Sequence, residues 1–241
     1  MLSEKVKERL KGYILKHDGR INRALGGSPF KPADPSSKTY QQALPRLQQY
    51  IDLSADEKAA LGMYGENVHQ YYKQLNDKLR SSNQSELDPE SAEVLEFMES
   101  NLRTALEKIQ SQSPQGHTRV TNGQETQVPG RFTRAVTGDF VDQLSRLKLG
   151  DEINDLGFAS YTDQGGPTLD MFLSNKKDAQ NAVIQLAEGS SLKNISPITE
   201  YHEGEHLAMP GTRYRLQSQN PTGHYSRKAG DLPLYILEVI D

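Results

Sequence analysis

Hydrophobic positions recur at helical spacing through the first half of the chain and in short alternating runs through the second. Residues 1–20, MLSEKVKERLKGYILKHDGR, carry an amphipathic, charged pattern that predicts a helix. Residues 21–45 are dense in Gly, Pro and Ser, which breaks helices and predicts an extended or mobile linker, so residues 1–45 read as an appendage. Regular structure resumes at Ser54, where Glu57 three residues on completes a capping box. Leu61, Tyr64, Val68, Tyr71, Tyr72, Leu75 and Leu79 then fall at helical spacing, with Gly62 and Gly65 marking a break between two short helices. After Asp88-Pro89 the stripe Val94, Leu95, Met98, Leu102, Ala105, Leu106 and Ile109 predicts a further helix, with Pro89 suited to its first turn.

From Ser111 to Gly130 the composition turns to Gln, Ser, Gly, Thr and Pro, which is loop chemistry. Short segments separated by turn signals follow: RFTRAV, a helical FVDQLSRL, EINDLGFASYT, NAVIQLA, EHLAMPGTRYRLQ and LPLYILEVI. Strands at such spacing with one or two helices predict an α+β domain with antiparallel sheets. The expected division is an appendage over 1–45 and a domain over 46–241, itself helical over 46–112, looped over 113–130 and β-rich over 131–241.

Composition narrows the chemistry. A formal charge of −4 from 28 basic and 32 acidic residues gives no bulk attraction to nucleic acid or to an anionic membrane, so neither is an expected partner. The absence of cysteine excludes disulfides, thiolate catalysis and Cys-ligated zinc. The N-terminus has no apolar core of a signal peptide, and no later stretch approaches the length of a membrane span.

One stretch fits two chemistries. HEGEH, residues 202–206, matches the zinc-peptidase pattern, with His202 and His206 as ligands and Glu203 as general base if the segment is helical. It is also an E-x-E pair, Glu203 and Glu205, whose side chains share one face if the segment is a strand. Pro197 and Pro210-Gly211 bound the segment and Gly204 sits inside it, at a cost of about 1 kcal/mol to a helix. The strand is better supported, with Pro210-Gly211 as a turn into a second strand from Thr212.

The run Glu203-Gly204-Glu205-His206-Leu207-Ala208-Met209-Pro210-Gly211-Thr212-Arg213-Tyr214 resembles the catalytic region of bacterial mono-ADP-ribosyltransferases of the R-S-E class, where E-x-E opens a strand continuing into P-G-T-x-aromatic. Two further blocks stand upstream in the same order. Thr133-Arg134-Ala135-Val136 resembles the strand whose arginine contacts NAD, with Arg131 as the other arginine nearby. Leu147-Lys148-Leu149-Gly150-Asp151 leading into Phe158-Ala159-Ser160-Tyr161-Thr162 resembles the family's L-x-x-G-D block and serine-threonine-serine core, with Tyr161 where threonine is usual. The resemblance covers roughly residues 50–241.

It implies N-terminal helices followed by a mixed, mainly antiparallel β-sandwich that binds NAD as substrate and needs no metal. Glu205 would be the catalytic carboxylate, Ser160 would orient it, and Arg134, Ser160, Thr162 and Glu205 would contact NAD. Glu203 two positions earlier accompanies transfer to arginine in the family, and Tyr201 on the loop before it would face the acceptor. The implied partner is a target protein carrying an acceptor arginine, with a chaperone or immunity protein as a further partner. The implied setting is a bacterial toxin or effector that leaves its cell by a non-classical route and acts in the cytoplasm of another. A zinc hydrolase through HEGEH and a catalytically silent, partner-binding relative are the alternatives.

Overall fold

The computed structural model describes residues 2–66, 69–81, 87–121, 124–164, 166–173, 180–199, 204–227 and 229–240, with backbone alone at 117–121, 166 and 167. The chain divides into two compact units, Met1–Gln110 with Lys193–His202, and Ser111–Leu192 with Glu203–Asp241.

The first unit contains α1 (Glu4–Ala24), α2 (Lys38–Ile51), α3 (Ala55–Tyr64), α4 (Tyr71–Arg80), α5 (Pro89–Lys108) and a 3-10 turn at Ser196–Ile198. α1 starts at Ser3, whose side chain accepts from the Val6 amide, and buries Val6, Leu10, Tyr13, His17 and Ile21 along one face. α1 packs on α3, closely, because Gly62 has no side chain: a Cβ there would stand 2.9 Å from Tyr13 Cβ. The Ser54–Glu57 capping box forms in both directions. The buried Glu57 carboxylate also pairs with Lys108 at 2.6 Å, joining the start of α3 to the end of α5.

Residues 1–45 differ from the expectation of an appendage. α1 belongs to the core of the first unit, and α2 runs from its N-cap Ser37 straight through Pro45. A proline inside a helix costs about 3 kcal/mol, but α2 buries Leu47 and Tyr50, each contributing about 2 kcal/mol. The intervening loop is braced by Asn22, whose amide donates to the carbonyls of Ser28 and Lys31 and whose oxygen accepts from the Ala33 amide. Side-chain bracing of this kind leaves no periodic signal in the sequence.

The other elements are β1 (Ser111–Gln112), β2 (His117–Thr121), β3 (Gln124–Val128), β4 (Thr133–Thr137), α6 (Asp139–Arg146), β5 (Glu152–Asp155), β6 (Ala159–Thr162), α7 (Gly166–Phe172), β7 (Asn181–Leu186), β8 (Leu192–Asn194), β9 (Glu205–Ala208), β10 (Thr212–Ser226) and β11 (Gly230–Ile240). A nine-stranded sheet includes the contiguous run β9-β6-β4-β7-β11-β10-β5. In that run β7 and β11 pair in parallel and the other five junctions are antiparallel. β2 and β3 form a separate hairpin inside the stretch expected to be loop; β3 is exposed along most of its length, so no apolar alternation announces it.

Register assigns every side chain of the central strands to one of two faces, because successive residues alternate. Thr133 pairs with Thr162 and Gln185, Thr162 with Glu205, and Ser160 with Leu207, so these six share a face. Leu169 and Leu173, on and just after α7, pack with Val183 and Leu232 on that side. The opposite face carries the larger apolar core, with Phe132, Val136, Tyr161, Ile184, Tyr214 and Leu237 packed with Val141 and Leu144 of α6.

Candidate active site

Ser160 and Glu205 meet on the first of these faces. β6 and β9 run antiparallel, and Glu205 stands diagonally across from Ser160, one pair further along. That diagonal is within reach of a serine and a long carboxylate: Ser160 Oγ donates to Glu205 Oε1 at 2.9 Å. Both side chains are half-buried. Thr162 lies directly opposite Glu205; its Oγ1 accepts from the Gln164 amide at 3.1 Å and so shapes the turn that leaves β6.

The two arginines separate by face. Arg134 projects into the opposite, apolar core, where Nη1 donates to Asp155 Oδ2 at 2.7 Å. Its guanidinium lies 5.5 Å from the Phe140 ring centroid and 5.9 Å from that of Tyr161. Burial opposes the charge, but the Asp155 carboxylate outweighs it and raises the guanidinium pKa. Asp155 is 1% exposed and accepts a second bond from the Gly157 amide. Arg131 precedes Phe132, a core residue, and so falls on the face of Thr133, Ser160 and Glu205. There its Nη1 donates to Gln185 Oε1 at 3.1 Å, and Gln185 is the β7 partner of Thr133. The expectation that Arg134 stands beside Ser160 and Glu205 therefore conflicts with strand alternation, whereas Arg131 shares their face.

At HEGEH, residues 205–208 are strand, not helix. His206 points into the core against Phe132, ring centroids 4.8 Å apart, so the helical arrangement that a zinc-peptidase pair requires is not formed. Gly204 has φ +60, a left-handed conformation, and the strand begins after it, at Glu205. Glu203, His202 and Tyr201 lie outside the described residues.

The sequence offered His206 only as a zinc ligand, and the structure instead brings it together with the Asp163 amide on one backbone carbonyl. The His206 Nδ1 donates to the Gly204 carbonyl at 2.8 Å, and the Asp163 amide donates to the same oxygen at 3.3 Å. Burial lowers the His206 pKa, against the opposing effects of the Gly204 carbonyl and Asp163. The signal available in the sequence was Gly204 itself, a glycine between two glutamates, where a left-handed residue is admitted without strain.

No protein-family model matches the chain, and no curated protein matches it in sequence. Solved structures do match in fold. The ADP-ribosyltransferase Vis in complex with agmatine aligns over 100% of this chain and 87% of its own, at 15% identity and a TM-score of 0.59. Plx2a, an ADP-ribosyltransferase toxin from Paenibacillus larvae, aligns over 80% of this chain and 90% of its own, at 12% identity and 0.53. The Clostridium limosum C3 exoenzyme aligns over 82% and 90%, at 13% identity and 0.51. The chain has the fold of the bacterial mono-ADP-ribosyltransferase toxins.

Proposed function

We propose that this protein is a mono-ADP-ribosyltransferase that cleaves NAD and transfers ADP-ribose to an arginine of a target protein. The observation that carries this reading is the Ser160–Glu205 hydrogen bond on a sheet face that also presents Arg131. In the reaction the bond between ribose C1′ and the nicotinamide nitrogen breaks, and nicotinamide leaves with the bonding pair. Positive charge then develops at the ribose, where a carboxylate fixed in advance stabilises the transition state more than the ground state. Glu205 supplies that carboxylate. Ser160, by donating to one of its oxygens, holds the carboxylate's orientation. Arg131 supplies a permanent, planar cation for the phosphates, the role that the sequence assigned to Arg134.

The acceptor nitrogen bonds to C1′ and gives up a proton. A guanidinium is a poor nucleophile because its pKa exceeds 12, so a carboxylate beside it assists attack; Glu203 is the candidate from the E-x-E pattern. Agmatine, found in complex with Vis, bears the same guanidinium group as arginine, which favours an arginine-type acceptor here. In keeping with this reading, the protein acts as a toxin or effector in the cytoplasm of a target cell.

The test incubates the protein and its Glu205→Gln variant with labelled NAD, agmatine and cell lysate, with and without chelator. Label should pass to agmatine and to discrete protein bands with the native chain alone, unaffected by chelator. Equal labelling by both chains would overturn the reading.

A further inference from the structure

The catalytic carboxylate proposed above follows a residue whose carbonyl is held from two sides. Gly204 sits at φ +60, and its oxygen accepts from the Asp163 amide at 3.3 Å and from His206 Nδ1 at 2.8 Å. A carbonyl only accepts, so Nδ1 carries the proton and His206 is the Nδ1–H tautomer. The ring is 2% exposed and packed against Phe132, on the face of β9 away from Glu205. From there it reaches back to the peptide that opens the strand. Gly204 cannot be another residue without rearrangement, since a Cβ would collide with Asp163 Oδ1 and crowd Gln164.

The chain turns at Gly204, and the direction in which Glu205 projects depends on how that turn is fixed. A buried imidazole is a costly way to fill a core position next to phenylalanine, because one ring nitrogen must find a polar partner. Its partner is the one carbonyl whose orientation sets the entry to Glu205.

We propose that His206 is a positioning residue for the transferase: with the Asp163 amide it pins the Gly204 carbonyl and so aims Glu205 at Ser160. This rests on Glu205 being the catalytic carboxylate. His206 contacts no substrate; it acts through the backbone of its neighbours. Misplacing a reacting group by a fraction of an ångström to an ångström lowers turnover strongly while leaving binding elsewhere intact.

The experiment measures NAD cleavage, as kcat and KM, for the native chain and for Glu205→Gln, His206→Phe, His206→Asn and Gly204→Ala, together with thermal melting. His206→Phe keeps the apolar packing and removes the donor; an asparagine amide can place an N–H where Nδ1–H stood. His206→Phe should lower kcat by about 10-fold or more with KM changed by less than about 3-fold. His206→Asn should recover most of that loss, and Gly204→Ala should resemble His206→Phe. Native kcat in His206→Phe, or a well-folded His206→Asn as inactive as His206→Phe, would overturn the proposal while Glu205→Gln remained inactive. Should His206→Phe fail to fold, Gly204→Ala decides: native kcat there overturns the proposal. Native and Glu205→Gln chains with equal NAD cleavage would instead bring down the transferase reading, and this inference with it.

Discussion

Arg134 and Asp155 form an ion pair 2.7 Å long inside the apolar core, on the face of the sheet opposite Glu205. Three residues upstream, Arg131 stands on the same face as Glu205 with its guanidinium on Gln185. Replacing either arginine by alanine should therefore have different consequences. Arg134→Ala leaves a carboxylate that is 1% exposed without its cation, a change that costs about 3–5 kcal/mol. Its melting temperature should fall by roughly 10 °C. Arg131→Ala should melt within about 2 °C of the native chain, yet, on the function proposed, raise the KM for NAD about 10-fold by removing the cation assigned to its phosphates. Thermal unfolding and NAD titration on both variants separate a core cation from a ligand cation.

The Ser160–Glu205 bond grades the two residues by their distance from the chemistry. Glu205→Gln keeps shape and a hydrogen-bond acceptor for Ser160 but removes the charge; kcat should fall by about 100-fold to 1,000-fold. Ser160→Ala removes the donor at 2.9 Å and should lower kcat about 10-fold, with stability changed by less than about 1 kcal/mol. Single-turnover nicotinamide release measures both. Equal losses in the two variants would show that Ser160 does more than orient its neighbour.

The strand that begins at Glu205, the serine strand and the helical lead-in were legible because each combines strong local periodicity with a motif. The capping box at Ser54 and the stripe of α5 stand where the sequence placed them. The choice between Arg131 and Arg134 was not legible. It depends on which face of β4 looks toward Ser160, and that parity is fixed by pairing with β6 and β7, not by β4's own residues. The docking of α1 was hidden for a related reason. Gly62 and Tyr13 are far apart in the chain, and a glycine that weakens one helix reads locally as a defect until the second helix is seen against it.

Those two helices allow a paired test. Gly62→Ala improves helix propensity by about 1 kcal/mol, but the new Cβ would stand 2.9 Å from Tyr13 Cβ. Overpacking of this kind costs about 1–3 kcal/mol, so the variant should be less stable than the native chain. Gly12, in α1, has nothing within 4 Å of where a Cβ would project. Gly12→Ala should gain about 0.5–1 kcal/mol. Denaturant titration of the two variants gives opposite signs if α1 is docked on α3 through Gly62, and the same sign if it is not.

His17 makes stability depend on pH. It is 1% exposed in α1; burial pushes its pKa down to about 4 from 6.5, against the partial support of Asp18 and with Lys58 acting in the same direction as burial. In the folded chain the ring stays neutral down to about pH 4, whereas in the unfolded chain it takes up a proton below about pH 6.5. The unfolded state therefore binds more protons in that window, and stability falls as pH is lowered through it. The contribution is complete above about pH 6.5 and exhausted below about pH 4. Between about pH 7.5 and pH 5 the loss from this one group is about 2 kcal/mol, and His206, lowered in the same direction, adds to it. His17→Leu removes the titration while filling the core position. Its stability relative to the native chain should rise by about 2 kcal/mol between pH 7.5 and pH 5, read from urea unfolding at each pH. A difference that stays constant across that range would mean that His17 is protonated alike in both states, and would overturn the prediction.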